Sequence, residues 1–365
     1  MNKKIILSLF ILFTLSHIHC NNSSQLQKTA TEKGLKDHYK NYFPIGVAVS
    51  PQSLKDPADV KLILQQFNSV TPENAMKMRP IHPKEHEYYW KDADSIVAFA
   101  QRNNLKVRGH ALCWHEQAPD WFFTDSSGKL VSKEILLQRL KDHITKVVSR
   151  YKGEIYAWDV VNEAIDDNPN NLLRNSLFYQ ISGEDFIGKA FEYAHEADPD
   201  AVLFYNDYNA VRKEKTDRIY QLLKALKDKG VPIDAVGLQG HWSIFEPSSD
   251  ELEYAIQKFS SLGLKIQITE LDVSIYKWEK NKREKTGADV DILSPQLEQH
   301  QIEKYKMIFD VLRKYKKDIT GVTFWNISDK KTWLDTYPVA GRKNYPLLFD
   351  VNLKPKKSYW EVVNF

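Results

Sequence analysis

The stretch that decides the fold reads Trp158-Asp159-Val160-Val161-Asn162-Glu163-Ala164. An apolar run leads into it, and the acidic loop Asp166-Asp167-Asn168 follows it. This order is typical of a buried strand that delivers a carboxylate at its C-terminal end. A later stretch has the same form: Lys265-Ile266-Gln267-Ile268-Thr269-Glu270-Leu271-Asp272. The chain therefore contains two predicted strands that each end in a glutamate.

Outside these two stretches, short apolar segments alternate with amphipathic helices. The helical period is clearest at Leu136, Leu140, Ile144, Val147 and Tyr151, which recur every three or four residues. Eight strands alternating with helices in 365 residues favour a single (β/α)8 barrel. A doubly wound sheet is the alternative, but no Gly-x-Gly-x-x-Gly turn follows the first strand. The predicted strands are Ile45–Val49, Ser69–Thr71, Lys106–His110, Ala157–Val161, Val202–Tyr205, Ala235–Leu238, Ile266–Thr269 and Gly321–Phe324.

Polar side chains gather where these predicted strands end, which is the face of a barrel that carries active sites. The strand-end groups are Thr71-Pro72-Glu73-Asn74 with Lys77, then His110 with Trp114-His115-Glu116-Gln117, Asn162-Glu163, Asn206-Asp207-Tyr208-Asn209, Gln239-Gly240-His241-Trp242, Glu270 with Asp272, and Trp325. Paired carboxylates on one face are the groups that hydrolyse glycosidic bonds. A pair of buried acids held in salt bridges is the alternative reading, and the burial of unpaired charge is costly.

Composition excludes several classes of partner. The chain has 51 basic and 48 acidic residues, so nothing in its charge indicates nucleic acid or an anionic membrane. It also has 9 Trp and 18 Tyr, a supply of flat aromatic faces that suits sugar rings. No His and Cys cluster has the spacing of metal ligands, and we expect neither a metal nor a cofactor.

The N-terminus has the layout of a secretory signal. Lys3-Lys4 precedes an apolar run from Ile5 to Leu15 that is too short to cross a bilayer. We expect a signal segment at 1–20, a polar tether at 21–40 and a catalytic barrel at 41–365. The exported protein is then secreted, periplasmic or a cell-surface lipoprotein. Simple cleavage of the signal segment and lipidation at Cys20 both remain open, and only lipidation would attach the protein to a membrane. Cys113 then has no disulfide partner and reads as a small buried residue.

The strand-end motifs together resemble glycoside hydrolase family 10, whose members are endo-1,4-β-xylanases that act with retention on a (β/α)8 barrel. The resemblance runs from about Tyr42 to Phe365 and implies xylan or xylo-oligosaccharides as the substrate of a monomeric enzyme. It is carried by Thr71-Pro72-Glu73-Asn74-Ala75-Met76-Lys77, Arg108-Gly109-His110, Trp114-His115, Trp158 to Glu163, Gln239-Gly240-His241, Ile268 to Asp272, Tyr345 to Asp350 and Lys354-Pro355.

The resemblance also implies roles for individual residues. Glu163 matches the acid/base and Glu270 the nucleophile. Asn162 would donate to the sugar 2-hydroxyl, a contact that strengthens in the transition state. His241 would hydrogen-bond Glu270, and Asp272 would orient the imidazole.

Substrate binding is implied for a larger set, with Trp325 and Lys77 forming the wall that excludes a hydroxymethyl group. The chain departs from the family pattern at Asn326, where Gly is common, and at Leu334, where some members carry a basic residue. Both departures concern fine specificity. The implied binding residues are Glu73, Asn74, Lys77, His110, Trp114, Gln117, Tyr208, Gln239, Trp325 and Trp333.

Two other functions remain open. A retaining β-1,4-glucanase, or a mixed xylanase/glucanase, would use the same pair of glutamates; Glu73, Asn74 and Lys77 with Trp325 favour the xylanase. A carbohydrate-binding protein with an inactive barrel is disfavoured because both glutamates are present. The basic run 277–283 is interpreted as a solvated loop.

Overall fold

The structure is a computed structural model that describes residues 33–365. Eight parallel strands form one closed barrel, in which each strand is followed by helical segments. The prediction of a single (β/α)8 barrel is confirmed. The barrel strands are β1 (Ile45–Val49), β2 (Ser69–Pro72), β3 (Lys106–Gly109), β4 (Ile155–Asn162), β5 (Val202–Asp207), β6 (Ala235–Leu238), β7 (Lys265–Ser274) and β8 (Ile319–Phe324).

The barrel closes because β8 pairs with both β1 and β7. The register between β8 and β1 brings Val322 opposite Ile45 and Phe324 opposite Val47. Two short extra strands, Cys113–Trp114 and His241–Ser243, pair with the C-terminal ends of β4 and β7. Since all the strands run in parallel, their carboxyl ends meet at one face, where the predicted polar residues converge.

Helices pack around this barrel with their apolar faces inward. In α5 (Lys133–Arg150) the residues Leu136, Leu140, Ile144 and Val147 are fully buried, as their spacing predicts. Ser132 caps this helix by accepting a hydrogen bond from the backbone N–H of Ile135. The helices are α1 (Leu35–His38), α2 (Pro57–Gln66), α3 (Met78–Ile81), α4 (Lys91–Arg102), α5 (Lys133–Arg150), α6 (Leu177–Ser182), α7 (Asp185–Ala197), α8 (Lys213–Asp228), α9 (Ser249–Ser260), α10 (Pro295–Lys314) and α11 (Lys357–Val363).

The barrel domain takes in residues that the sequence placed in the tether. Leu35 and Tyr39 are fully buried, and the Tyr39 hydroxyl donates to the carbonyl of Val362 in α11 at 2.6 Å. The predicted boundary at residue 41 is therefore too late, because both side chains belong to the hydrophobic core of the barrel domain. The signal segment 1–20 and Cys20 lie outside the described residues.

Two smaller expectations concern Cys113 and the membrane. Cys113 is buried, and burial raises the pKa of its thiol well above the ordinary range, as suits an inert core residue. Among the helices of residues 33–365, none combines the length and the hydropathy that a bilayer span requires.

Candidate active site

Glu163 stands directly after β4 in an uncommon backbone conformation. Its φ is +59°, the left-handed region, in which a non-glycine residue is held only by its surroundings. The restraint comes from Tyr205 on β5, whose hydroxyl accepts hydrogen bonds from the backbone N–H groups of Ala164 at 3.1 Å and Ile165 at 3.2 Å. The same hydroxyl donates to Asp207 at 2.6 Å. The turn therefore aims the Glu163 side chain into the barrel mouth.

Three donors hold the Glu163 carboxyl. Its Oε2 accepts from the Trp114 indole at 2.9 Å, while Oε1 accepts from Gln239 at 2.9 Å and from Asn162 at 3.2 Å. Burial raises the pKa of Glu163; these hydrogen bonds oppose the shift and the charge of Asp207 adds to it, so that the pKa reaches about 7. Glu163 therefore carries its proton close to neutral pH.

Glu270, near the middle of β7, has the opposite environment. Its Oε1 accepts from Asn206 at 2.8 Å, and its Oε2 lies 3.2 Å from His241 Nε2. Burial alone would raise the pKa of Glu270, but the charges of His110 and His241 and the hydrogen bonds lower it to about 2. Glu270 is therefore a carboxylate at any ordinary pH.

The charge of His241 depends on its other neighbour. Its Nδ1 lies 2.9 Å from Asp272 Oδ2, which also accepts from the Trp333 indole at 2.8 Å. Burial lowers the pKa of His241, but Asp272 and Glu270 outweigh this effect and raise it to about 10. The imidazolium thus donates to both carboxylates. The predicted placement of His241 between Glu270 and Asp272 is observed.

Asn206, at the end of β5, links the two glutamates. Its amide nitrogen donates to Glu270 and, at 2.9 Å, to Asn162, whose own amide donates to Glu163. Gly237 on β6 makes room for it, since a Cβ at Gly237 would lie 2.1 Å from the Asn206 side-chain oxygen. The sequence placed Asn206 at a strand end but assigned it no role.

His110 is held from below by a buried ion pair that the sequence analysis also missed. Asp159 on β4 accepts from Arg108 with one carboxylate oxygen and lies 2.7 Å from His110 Nδ1 with the other. All three side chains are almost fully buried. Asp159 belongs to the stretch 158–164, but its contact with His110 arises only because β3 and β4 pair side by side, which the sequence does not show.

The cleft has a volume of about 680 Å³. One wall is aromatic: the ring of Trp325 lies 5.4 Å from that of His110, and Trp333 packs against His241 at 4.8 Å. Lys77 also lines the cleft, with its ammonium group 5.0 Å from the centre of the Trp114 ring. The predicted residues that line this cleft are Lys77, His110, Trp114, Asn162, Glu163, Tyr208, Gln239, His241, Glu270, Trp325 and Trp333.

Four predicted residues lie outside the lining of this cleft. Asn74 is exposed and accepts from Lys77 at 2.9 Å, so it positions that side chain. Glu73 lines a separate cavity, Asp272 contacts the far side of the His241 ring, and Gln117 is half-buried, with its backbone carbonyl accepting from the backbone N–H of Arg79. All four lie at or after the C-terminal end of a barrel strand in the sequence, but none of their side chains lines the cleft.

The loop between β7 and α10 contributes more than the sequence indicated. Much of the run 277–283 is exposed, as interpreted, but Trp278, Lys280 and Lys282 line the cleft. Trp278 lies parallel to Tyr208 with ring centroids 6.3 Å apart. Arg174, which donates to the Tyr208 hydroxyl at 2.9 Å, was also missed. An aromatic residue within a charged run was the available signal for Trp278.

Residues 33–365 hold no group of three or more His, Cys, Asp or Glu side chains arranged to bind a metal ion. The cleft brings together a protonated carboxyl, an ionised carboxylate, and hydrogen-bond donors around both.

The sequence profile described as Glycosyl hydrolase family 10 matches residues 34–365. The chain belongs to this family. It is 50% identical over 331 residues to the "Beta-1,4-xylanase" of Dictyoglomus thermophilum, covering 91% of this chain and 90% of that protein. It is 45% identical to "Endo-1,4-beta-xylanase B" of Paenibacillus barcinonensis, covering 90% of this chain and 97% of the relative.

Solved structures of family members superpose closely on the barrel. A xylanase from Paenibacillus barcinonensis in complex with a conduramine derivative has a TM-score of 0.87 at 44% identity, covering 92% of this chain and 99% of that one. An endo-1,4-β-xylanase from Caldicellulosiruptor owensensis has a TM-score of 0.87 at 46% identity, covering 91% of this chain and 100% of that one. This family-10 chain is a glycoside hydrolase.

Proposed function

We propose that this family-10 chain is an endo-1,4-β-xylanase that hydrolyses xylan with retention of configuration. The observation that carries the proposal is that two buried carboxyl groups, linked through the amides of Asn162 and Asn206, differ in protonation state. Glu163 has a pKa of about 7 and Glu270 a pKa of about 2. Between these values one group holds a proton and the other is ionised, which is what double displacement requires.

In the first step the Glu270 carboxylate attacks the anomeric carbon, and the C–O bond to the leaving sugar breaks. Glu163 gives its proton to the leaving oxygen, so that a neutral alcohol departs. His241 holds Glu270 through Oε2 and Asn206 holds it through Oε1, which orients the attacking oxygen. The product of this step is a glycosyl ester on Glu270.

In the second step Glu163 acts as a base. The negative charge of Glu270 is one cause of the raised pKa of Glu163, and that charge disappears when the ester forms. The pKa of Glu163 therefore falls in the intermediate, and the group can take a proton from the attacking water. Water attacks the anomeric carbon, the ester bond breaks, and Glu270 returns to its ionised form.

The proposed preference for xylan rests on the wall formed by Trp325 and Lys77. Xylose lacks the hydroxymethyl group of glucose, and a rigid obstacle rejects a larger sugar more strongly than an unfilled pocket rejects a smaller one. Trp325 is 5% exposed and lies between His110 and His241, with ring distances of 5.4 and 6.3 Å. Such a ring has little room to move aside for a substituent.

The test is hydrolysis of a panel of soluble xylans, glucans and mannans, with product lengths and the anomeric configuration of the first product followed by NMR. We expect internal cleavage of xylan and an initial β-anomer. An initial α-anomer would refute retention, equal rates on xylan and β-1,4-glucan would favour the glucanase alternative, and no turnover of any polymer would favour an inactive barrel.

We also propose that the chain is exported, on the basis of the Lys3-Lys4 and apolar pattern at residues 1–20. Mass spectrometry of the mature protein tests this proposal. Cleavage before Cys20 with an added diacylglycerol mass supports a lipoprotein, and an unmodified new N-terminus supports simple secretion. An intact Met1 or only Met removal would refute export by this signal.

A further inference from the structure

One salt bridge in the lining of the cleft joins the loop that follows Glu163, the proposed acid, to the loop that follows Glu270. Asp167 belongs to the loop after β4 and Lys280 to the loop after β7, and the Lys280 ammonium lies 2.9 Å from Asp167 Oδ2. In the order of the sheet, β5 and β6 stand between β4 and β7. The pair therefore spans the ends of two strands and joins loops that carry the two halves of the site.

This pair lies on a boundary between two cavities. Asp167, Trp278 and Lys280 line the catalytic cleft, and the same three residues line a second cavity of about 300 Å³ that contains neither glutamate. The second cavity continues outward along polar side chains that include Arg212 and Lys215. The three shared residues therefore form the partition between the cleft and this outer cavity.

Only one side of the bridge is rigidly held. The Asp167 carboxylate is 13% exposed and accepts from the Tyr208 hydroxyl at 2.5 and 2.6 Å and from Arg174 at 3.3 Å. Lys215 adds a second positive group besides Lys280, with its ammonium 3.7 Å from Asp167 Oδ1. Asp167 would therefore keep its position if Lys280 left.

Lys280 has no comparable support for its side chain. The backbone on its N-terminal side is anchored, since the buried Arg342 donates to Glu279 at 2.6 Å. The Lys280 side chain is 53% exposed, and within the described part of the chain Asp167 is its only charged or hydrogen-bonding partner. An ion pair of this exposure contributes little, and fixing a long lysine side chain costs conformational entropy. The bridge can thus open by rotation of one side chain.

We propose that Lys280 is a latch and a specificity-determining residue for substrate length. When Lys280 is bound to Asp167, the cleft ends at Trp278; when it is released, the cleft joins the outer cavity. A long xylan chain must displace Lys280 to extend its reducing end into that cavity, whereas a short leaving group does not reach it. The inference rests on the proposed function, because it assumes a xylan chain in the cleft.

The test compares a long with a short substrate in Lys280→Met, which keeps most of the side-chain stem and removes the charge. The measured quantity is kcat/KM for xylohexaose divided by kcat/KM for an aryl xylobioside. We expect this ratio to rise about two- to fivefold over the wild type, the range that a half-exposed ion pair can supply. At 1.4 kcal/mol for each tenfold, the upper end corresponds to about 1 kcal/mol.

Lys277→Met is the matched control. Lys277 belongs to the same loop, is exposed and lines neither cavity; within residues 33–365 it has no ion pair, and its ammonium lies 5.5 Å from the centre of the Phe245 ring. The ratio should stay near the wild-type value in this variant. Salt is a second control: screening weakens an exposed pair, so added NaCl should raise the ratio in the wild type and leave it flat in Lys280→Met.

An unchanged or lower ratio in Lys280→Met overturns the latch, because a lower ratio means that Lys280 binds the chain. An equal rise in Lys277→Met overturns it as well, since the effect would then come from the net charge of the loop. If the wild type is active on both substrates and the ratio does not move, the latch alone fails. If the wild type turns over neither substrate, the proposed function fails and the latch falls with it.

Discussion

Replacement of Asn206 by alanine should shift the acid limb of the pH profile. Asn206 donates to Glu270 at 2.8 Å and to Asn162 at 2.9 Å, so Asn206→Ala removes one donor from a buried carboxylate. A hydrogen bond to a charged group contributes about 1.5–3 kcal/mol, and one pKa unit corresponds to about 1.36 kcal/mol. The pKa of Glu270, about 2 in the wild type, should therefore rise by about one to two units.

The assay is kcat/KM for an aryl xylobioside between acid and neutral pH. We expect the acid limb to move upward by that amount and kcat to fall by about 10- to 100-fold, because the nucleophile also loses its orientation. Thr269→Val is the matched control: Thr269 donates to the Asn206 oxygen at 2.7 Å and has no hydrogen bond to Glu270. The control should lose stability without moving the limb. An Asn206→Ala profile that keeps its acid limb, with activity within about twofold of the wild type, would refute this account of Glu270.

Four further predictions follow from the same contacts. Glu270→Gln should lower kcat by about 10⁴-fold or more while circular dichroism and melting show a folded barrel, because the nucleophile is lost. Glu163→Gln should remove the alkaline limb near pH 7 for xylan while sparing the glycosylation rate of aryl substrates with good leaving groups, measured by pre-steady-state bursts. Trp325→Ala should narrow the ratio of aryl xylobioside to aryl cellobioside turnover, and a wild-type ratio near unity would contradict the proposed wall. Burial lowers the pKa of His82 to about 4 and that of His143 to about 3. As the pH falls below 6.5, these histidines therefore become protonated in the unfolded chain but stay neutral in the folded one, which destabilises the fold. Urea unfolding at pH 5 should show a free energy of unfolding lower by about 2 kcal/mol for each histidine than at neutral pH, and His143→Gln should make this loss smaller.

The fold could be predicted because the barrel strands are short apolar runs that the sequence separates clearly. The run Ala235–Leu238 was predicted with the bounds observed for β6, and Ile45–Val49 with those of β1. Parallel strands bring their carboxyl ends to one face, so Glu163 and Glu270 could be placed in one site without any coordinates. Strand bounds at β7 were predicted too short, because its polar end continues in extended form to Ser274.

The contacts inside the site could not be predicted in the same way. Asn206 links the two glutamates only because Gly237 on the next strand leaves space for its amide, a relation between two strands that no single segment contains. Asp159 supports His110 across β3 and β4 for the same reason. Trp278 lines the cleft because of the conformation of the long loop between β7 and α10. Loops lack the periodic pattern of apolar residues by which helices and strands are predicted from a sequence.

Asn326 illustrates how a departure from the family pattern can preserve geometry. Its φ is +120°, a conformation that suits the glycine common at this position and strains any other residue. The side chain accepts from the backbone N–H of Trp333 at 3.3 Å and donates to Glu73 at 3.3 Å. These two bonds offset the backbone strain and tie the loop of Trp333 to the end of β2. Since neither bond reaches Glu163 or Glu270, the departure acts on the position of the aromatic wall and leaves the acid and the nucleophile as they are.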